Sequence, residues 1–222
     1  MSHRQTTHRF RSVIAVLKRA VKPLPVPVVG VIAQTTKDPF QVLISCLLSL
    51  RTRDETTALA SRQLLGLAQT PDQILRLTEI DLQQAIYPVA FYRNKARQIL
   101  ALCRVLLNQY HGAVPSSIET LMKLPGVGRK TANLVRTVAY GRAGICVDTH
   151  VHRICNRLGW IHTKTPLESE MALRRVLPRQ YWITLNDLLV PFGQFVCRPI
   201  SPFCSRCPVY AHCEKIGVRV SR

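Results

Sequence analysis

Leu124-Pro125-Gly126-Val127-Gly128-Arg129-Lys130-Thr131-Ala132 is the stretch on which the reading of this chain turns. Apolar residues recur with helical spacing on both sides of it, over 116–123 and 129–140, so the Pro-Gly-Val-Gly segment is a tight hairpin between two helices. Glycine is required where the backbone turns sharply and a partner must approach closely. A hairpin of this kind presents backbone N–H groups, and those around Gly126, Val127, Gly128 and Arg129 lie at the N-terminus of the second helix. Amides so placed bind a phosphate without reading sequence. A glycine turn between helices is also an ordinary connection, so its surroundings decide what it does.

Those surroundings are basic. Lys and Arg outnumber Asp and Glu by 31 to 12 over 222 residues, a formal charge of +19. Coulomb attraction and counterion release then favour a polyanion, with nucleic acid first among candidates. Between Leu82 and Val147 the only acid is Glu119, against nine basic residues. Charge that merely keeps the protein soluble is the alternative. A hydrophobic content of 47% excludes disorder and supplies one sizeable core or two small ones. No apolar run approaches the roughly 20 residues of a membrane span. The Arg- and Thr-rich start, 1–12, is too short for a transit segment and leads directly into helical periodicity, so it reads as mature sequence.

Eight cysteines do not make this a secreted disulfide scaffold, because that class is short and loop-rich. Cys46, Cys103 and Cys155 fall on helix-period apolar stripes, and Cys146 lies in the run Ile145-Cys146-Val147, so these four read as core residues in a reducing, intracellular compartment. Cys197, Cys204, Cys207 and Cys213 remain, spaced Cys-x6-Cys-x2-Cys-x5-Cys. Four thiolates within reach of one centre suit tetrahedral zinc or an iron–sulfur cubane. Zinc sites tend to use two Cys-x2-Cys pairs, and here only Cys204 and Cys207 form one.

Helical patterns recur from Phe10 to Phe192, an all-α count with no strand-rich region. A first amphipathic helix carries Phe10, Val13, Ile14, Leu17 and Val21, and Pro23, Pro25 and Pro27 end it in an extended linker. Asp38-Pro39 opens a second through Leu50, and Asp54 caps a third to about Leu67. Short patterns follow at 71–77 and 80–86. The longest stripe, Ala96 to Tyr110, stops near Gly112, and further helices are expected at 149–158, 165–177 and 181–192.

Two residues near the hairpin carry possible chemistry. Lys130 lies in the first turn of the second helix, where the macrodipole and Arg129 disfavour its ammonium form. It reads either as a phosphate contact or as an amine nucleophile able to form a Schiff base. Asp148 in Val147-Asp148-Thr149-His150 is an N-cap, and its carboxylate suits stabilisation of a developing positive charge. His150 supports such a site, contacts a phosphate or is simply structural.

The hairpin string, Lys130, Asp148 and the cysteine spacing, in that order, resemble the endonuclease III family, the DNA glycosylase/lyases of the helix-hairpin-helix superfamily, over about 40–213. The resemblance implies an all-α fold of two helical domains, 32–142 and a discontinuous 1–31 plus 143–222, with a DNA-binding cleft between them. It implies a [4Fe-4S] cluster on the four cysteines, Lys130 as the nucleophile and Asp148 as the catalytic aspartate. Related adenine glycosylases carry a non-lysine residue at the position of Lys130. It also implies a monomer that binds double-stranded DNA and removes oxidised pyrimidines by base excision and β-elimination. An enzyme acting on a base must take it out of the stack. Phe91 aligns with the family's apolar wedge, although it reads equally as a core aromatic. Arg51 stands where many members have glutamine, facing the orphaned partner base; arginine pairs well with guanine. A phosphate contact is the other role for Arg51. The rivals are a uracil or thymine mismatch glycosylase acting opposite guanine, and a non-catalytic DNA-binding module.

Overall fold

The computed structural model describes residues 3–222, with side chains from Phe10 onward. Every regular element among these residues is helical. The chain divides into two compact units, Pro27–Arg142 and Met1–Val26 with Ala143–Arg222.

The continuous unit holds α2 (Val28–Thr36), α3 (Pro39–Ser49), α4 (Asp54–Leu67), α5 (Pro71–Leu75), α6 (Glu79–Ile86), α7 (Tyr92–Tyr110), α8 (Ile118–Leu121) and α9 (Arg129–Val138). α3 is its axis. The run Phe40-Gln41-Val42-Leu43-Ile44-Ser45-Cys46-Leu47-Leu48 is apolar nearly all round, the pattern of a helix packed on every side, and all of it but Gln41 is buried. Asp38 caps its start by accepting from Phe40 N at 2.8 Å, with Pro39 preset for the first helical turn. α2, α4, α7 and α9 pack around it. α7 buries Lys95, Ala96, Ile99, Leu100, Leu102, Cys103 and Leu106 and ends where His111 and Gly112 turn left-handed, the Gly112 N–H closing on Leu106 O at 2.9 Å.

α2 occupies the segment expected to be an extended linker. Val28, Val29, Val31, Ile32, Thr35 and Thr36 are β-branched, and Gly30 sits among them, so intrinsic propensity opposes a helix. Tertiary packing wins, with Val29 and Ala33 buried in the unit's core. Asp54 plays a different part from the one expected. Arg53 is the N-cap of α4, while the Asp54 carboxylate accepts from Val28 N at 3.1 Å and so serves the start of α2. The unit therefore begins at Pro27, ahead of α2.

The discontinuous unit comprises α1 (His3–Val21), α10 (Thr149–Arg157), α11 (Pro166–Val176), α12 (Leu185–Phe195) and short 3-10 turns at Arg179–Tyr181, Cys204–Arg206 and Tyr210–His212. Phe10, Val13, Ile14 and Leu17 of α1 join one core with Val151, Ile154, Cys155 and Leu158 of α10 and Leu185, Leu189 and Phe192 of α12. Phe10 meets Trp160 edge to face at 4.8 Å. α10 and α12 touch at Gly193, where a Cβ would stand 2.3 Å from His150 Nδ1, so only glycine permits the crossing. No helix among the described residues is long and apolar enough to cross a membrane.

Candidate functional site

The hairpin forms as its sequence dictates. α8 ends after Leu121, Leu124 and Val127 are buried and anchor the turn, and Gly126 adopts φ +77, the left-handed region open to glycine. Gly128 is the N-cap of α9 and offers no side chain of its own, which leaves the helix start to backbone amides. Gly126, Gly128 and Lys130 are exposed and Arg129 is half-buried. Thr131, Ala132, Asn133 and Val135 on the other faces of α9 lock it into the core. Beneath it lies Cys46 of α3, whose thiol burial pushes up to about 12, partly opposed by the nearby charge of Lys130.

Asp148 is the N-cap of α10. Its Oδ1 accepts from both His150 N and Val151 N at 2.9 Å. One oxygen thus completes the cap, and no hydrogen bond among the described residues engages Oδ2. A carboxylate held through one oxygen keeps the other available for a positive charge. His150 packs on Gly193, and its Nδ1 lies 3.2 Å from Arg153 Nη2, which places it in the α10–α12 contact.

The four cysteines gather in one place. Cys197 follows the end of α12, Cys204 opens a 3-10 turn, Cys207 ends it and Cys213 ends the next. All four line one partly open cavity, floored by Ile154, Leu158, Phe192 and Val209. Burial pushes the Cys207 thiol up to about 11, and the other three cysteines push the same way, so thiolates here require a cationic centre. Two arginines of α10 brace the rim. Arg157 donates to Cys197 Sγ at 3.4 Å and to the carbonyls of Arg198 and Pro199 at 2.6 and 2.7 Å, while Arg153 donates to Cys197 O at 2.8 Å. No three His, Cys, Asp or Glu side chains among the described residues stand close enough to hold a single metal ion. One tetrahedral zinc at about 2.3 Å from each sulfur would need them about 3.8 Å apart. A cubane, with a separate iron for each sulfur, suits a wider set around a cavity.

Arg51 and Phe91 lie side by side. Each has a positive φ, 57 and 58, and the Arg51 guanidinium stands over the Phe91 ring at 5.2 Å. Phe91 is 60% exposed, which removes the core reading of this aromatic. Behind them Lys95 is buried, its Nζ donating to Leu48 O and Leu50 O at 2.7 Å and to Thr52 Oγ1 at 3.2 Å. Burial pulls its ammonium down to about 8.

Residues 44–179 match the HhH-GPD superfamily of base excision DNA repair proteins. Endonuclease III of Thermotoga maritima is 48% identical over 177 residues, 80% of this chain and 83% of that protein. The chain belongs to the endonuclease III family. The endonuclease III-like protein 1 of Gallus gallus is 45% identical over 171 residues, 76% of this chain and 61% of its own length. Among solved structures, a trapped endonuclease III–DNA covalent intermediate superposes with a TM-score of 0.83 at 32% identity, covering 97% of both chains.

Endonuclease III family members usually carry a [4Fe-4S] cluster. Sequence reasoning passed over three residues that support the family's elements in this chain. Lys95 falls in core register with Ile99, Leu102 and Leu106 on α7, and a lysine in an apolar stripe is a signal that it has a specific set of acceptors. Arg153 and Arg157 follow His150 at three and seven residues along α10, a basic line too regular to be scattered surface charge.

Proposed function

We propose that this chain is a base-excision-repair DNA glycosylase with AP-lyase activity on double-stranded DNA that contains oxidised pyrimidines or abasic sites. The observation that carries the reading is an exposed lysine, Lys130, in the first turn of a helix that follows a glycine hairpin. The hairpin amides, with Gly126, Val127, Gly128 and Arg129, hold a backbone phosphate. The Lys130 amine attacks C1′ of the everted nucleotide, and the C1′–N bond breaks as the base departs with the electron pair and takes up a proton. Asp148, through the oxygen not used in capping, stabilises positive charge on the sugar. Opening of the sugar ring gives a Schiff base, loss of a C2′ proton follows, and the C3′–O bond breaks with the phosphate as leaving group. His150 acts through the α10–α12 contact.

Cys197, Cys204, Cys207 and Cys213 hold a [4Fe-4S] cluster in this reading, supported by the cavity they line and by the donors Arg153 and Arg157. When bound, the cluster supplies a rigid core to a loop that has almost no regular structure. Cys207→Ser is expected to lose iron and visible absorption and to lower the melting temperature by roughly 5–10 °C, since metal binding here is folding energy. Iron analysis and thermal melting of the purified variant test this; full retention of iron would refute the assignment.

The deciding experiment is borohydride trapping. The full chain, incubated with a duplex carrying thymine glycol, is expected to give a covalent protein–DNA adduct. No adduct with this duplex or with one carrying an abasic site would leave the non-catalytic DNA-binding module in its place. Arg51 favours a second feature, discrimination of the partner base. Its guanidinium, presented on the Phe91 ring, matches the O6 and N7 acceptors of guanine and opposes adenine. Arg51→Gln is expected to lower excision opposite guanine relative to adenine by about tenfold, in line with the roughly 1–3 kcal/mol of one bidentate base contact. An unchanged ratio would return Arg51 to a phosphate contact.

A further inference from the structure

Arg51 and Phe91 are held in an unusual way. A side chain at positive φ costs on the order of 1 kcal/mol, and such residues persist only where their surroundings over-determine them. Here two non-glycine residues at φ 57 and 58 stand together on separate loops, both exposed. What fixes them converges on one side chain. Lys95 Nζ binds Leu50 O and Thr52 Oγ1, the two residues flanking Arg51, and Leu48 O in α3. Thr52 Oγ1 also accepts from Ala90 N at 3.2 Å, next to Phe91, so the Phe91 loop is tied to Lys95 Nζ through the Thr52 hydroxyl. The three ammonium donors meet three acceptors, and none of those acceptors is a carboxylate.

Stability alone does not account for this arrangement. A buried charge without a counter-charge is costly even when hydrogen-bonded, and an apolar side chain of similar volume would extend the stripe of Ile99, Leu102 and Leu106 at no such cost. The depressed ammonium agrees with that burden.

We propose that Lys95 is a positioning residue that locks the Arg51 and Phe91 loops into one rigid probe, so that excision of a base from duplex DNA depends on it while lysine chemistry on an unpaired abasic sugar does not. The proposal rests on the glycosylase/lyase reading. A duplex everting a base leaves a gap and an orphaned partner for the probe to fill, whereas a single-stranded abasic oligonucleotide has neither.

The test uses the full chain as wild type, Lys95→Met and Thr52→Val. One substrate is a thymine glycol duplex with 2-aminopurine beside the lesion; the other is a single-stranded abasic oligonucleotide with borohydride. Lys95→Met is expected to lose about tenfold to a hundredfold in single-turnover excision, together with the fluorescence rise of the unstacked 2-aminopurine, as misplacement by about 1 Å does elsewhere. Trapping on the single strand should stay within about threefold of wild type. Melting temperature should change little, because relief of the buried charge offsets the lost hydrogen bonds. Parallel loss on both substrates, or undiminished excision with normal fluorescence, would overturn the proposal. If Lys95→Met does not fold, Thr52→Val decides: it removes the shared oxygen while leaving Lys95 its two carbonyls, and the same split is required of it. A wild type inactive on both oligonucleotides would instead overturn the glycosylase/lyase reading itself.

Discussion

Lys130→Ala is expected to yield no borohydride-stable adduct with either a thymine glycol or an abasic duplex and to nick DNA slower than wild type by about three orders of magnitude or more. The size of the effect follows from the chemistry. Without the amine no Schiff base forms, and without the Schiff base the C2′ proton is not acidic enough for elimination. Lys130 is exposed, so the variant should stay within about 0.5 kcal/mol of wild-type stability. The competing role makes a different prediction. A lysine that only neutralises a phosphate would, on removal, weaken DNA binding and reduce the slope of log affinity against log salt by about 1, with trapping intact. Trapping yield and salt titration on the same preparation separate the two, and persistent adduct in the variant would exclude Lys130 as the nucleophile.

Asp148→Asn should cut single-turnover excision by about 10²–10³ while leaving the melting curve nearly unchanged. Asparagine caps a helix about as well as aspartate, so the bonds to His150 N and Val151 N survive through its carbonyl oxygen. What the variant loses is the negative charge on the second oxygen. Asp148→Ala removes both functions and should be destabilised by about 1 kcal/mol in addition. Rate and melting temperature measured for the pair apportion the two roles. An Asp148→Asn enzyme of near-wild-type rate would reduce Asp148 to a cap.

Much of this molecule is legible in its sequence because local and tertiary preferences agree. The apolar stripe of α7, the Asp38-Pro39 start of α3 and the glycine hairpin before α9 each carry their signal within a few residues. α2 escapes because its β-branched residues and Gly30 argue against the helix that burial imposes. Asp54 misleads for a related reason: a carboxylate at a helix start satisfies the nearest free amide in space, and that amide belongs to Val28, 26 residues away in the chain. Lys95 was hidden because its acceptors are main-chain carbonyls and a threonine, none of which marks itself in a sequence. Gly193 likewise gives no local sign that His150 lies against it.

α10 spans nine residues, roughly 13 Å of helix, with Asp148 at its head and Arg157 at its foot. Through Arg153 and Arg157 the foot is bolted to Cys197 and the turn after it, and through Gly193 the shaft lies flush on α12. The helix is therefore a stiff lever between a carboxylate and the cysteine loop. A substitution at Arg157 is expected to reach Asp148 through the helix that joins them rather than through any bond between the two side chains.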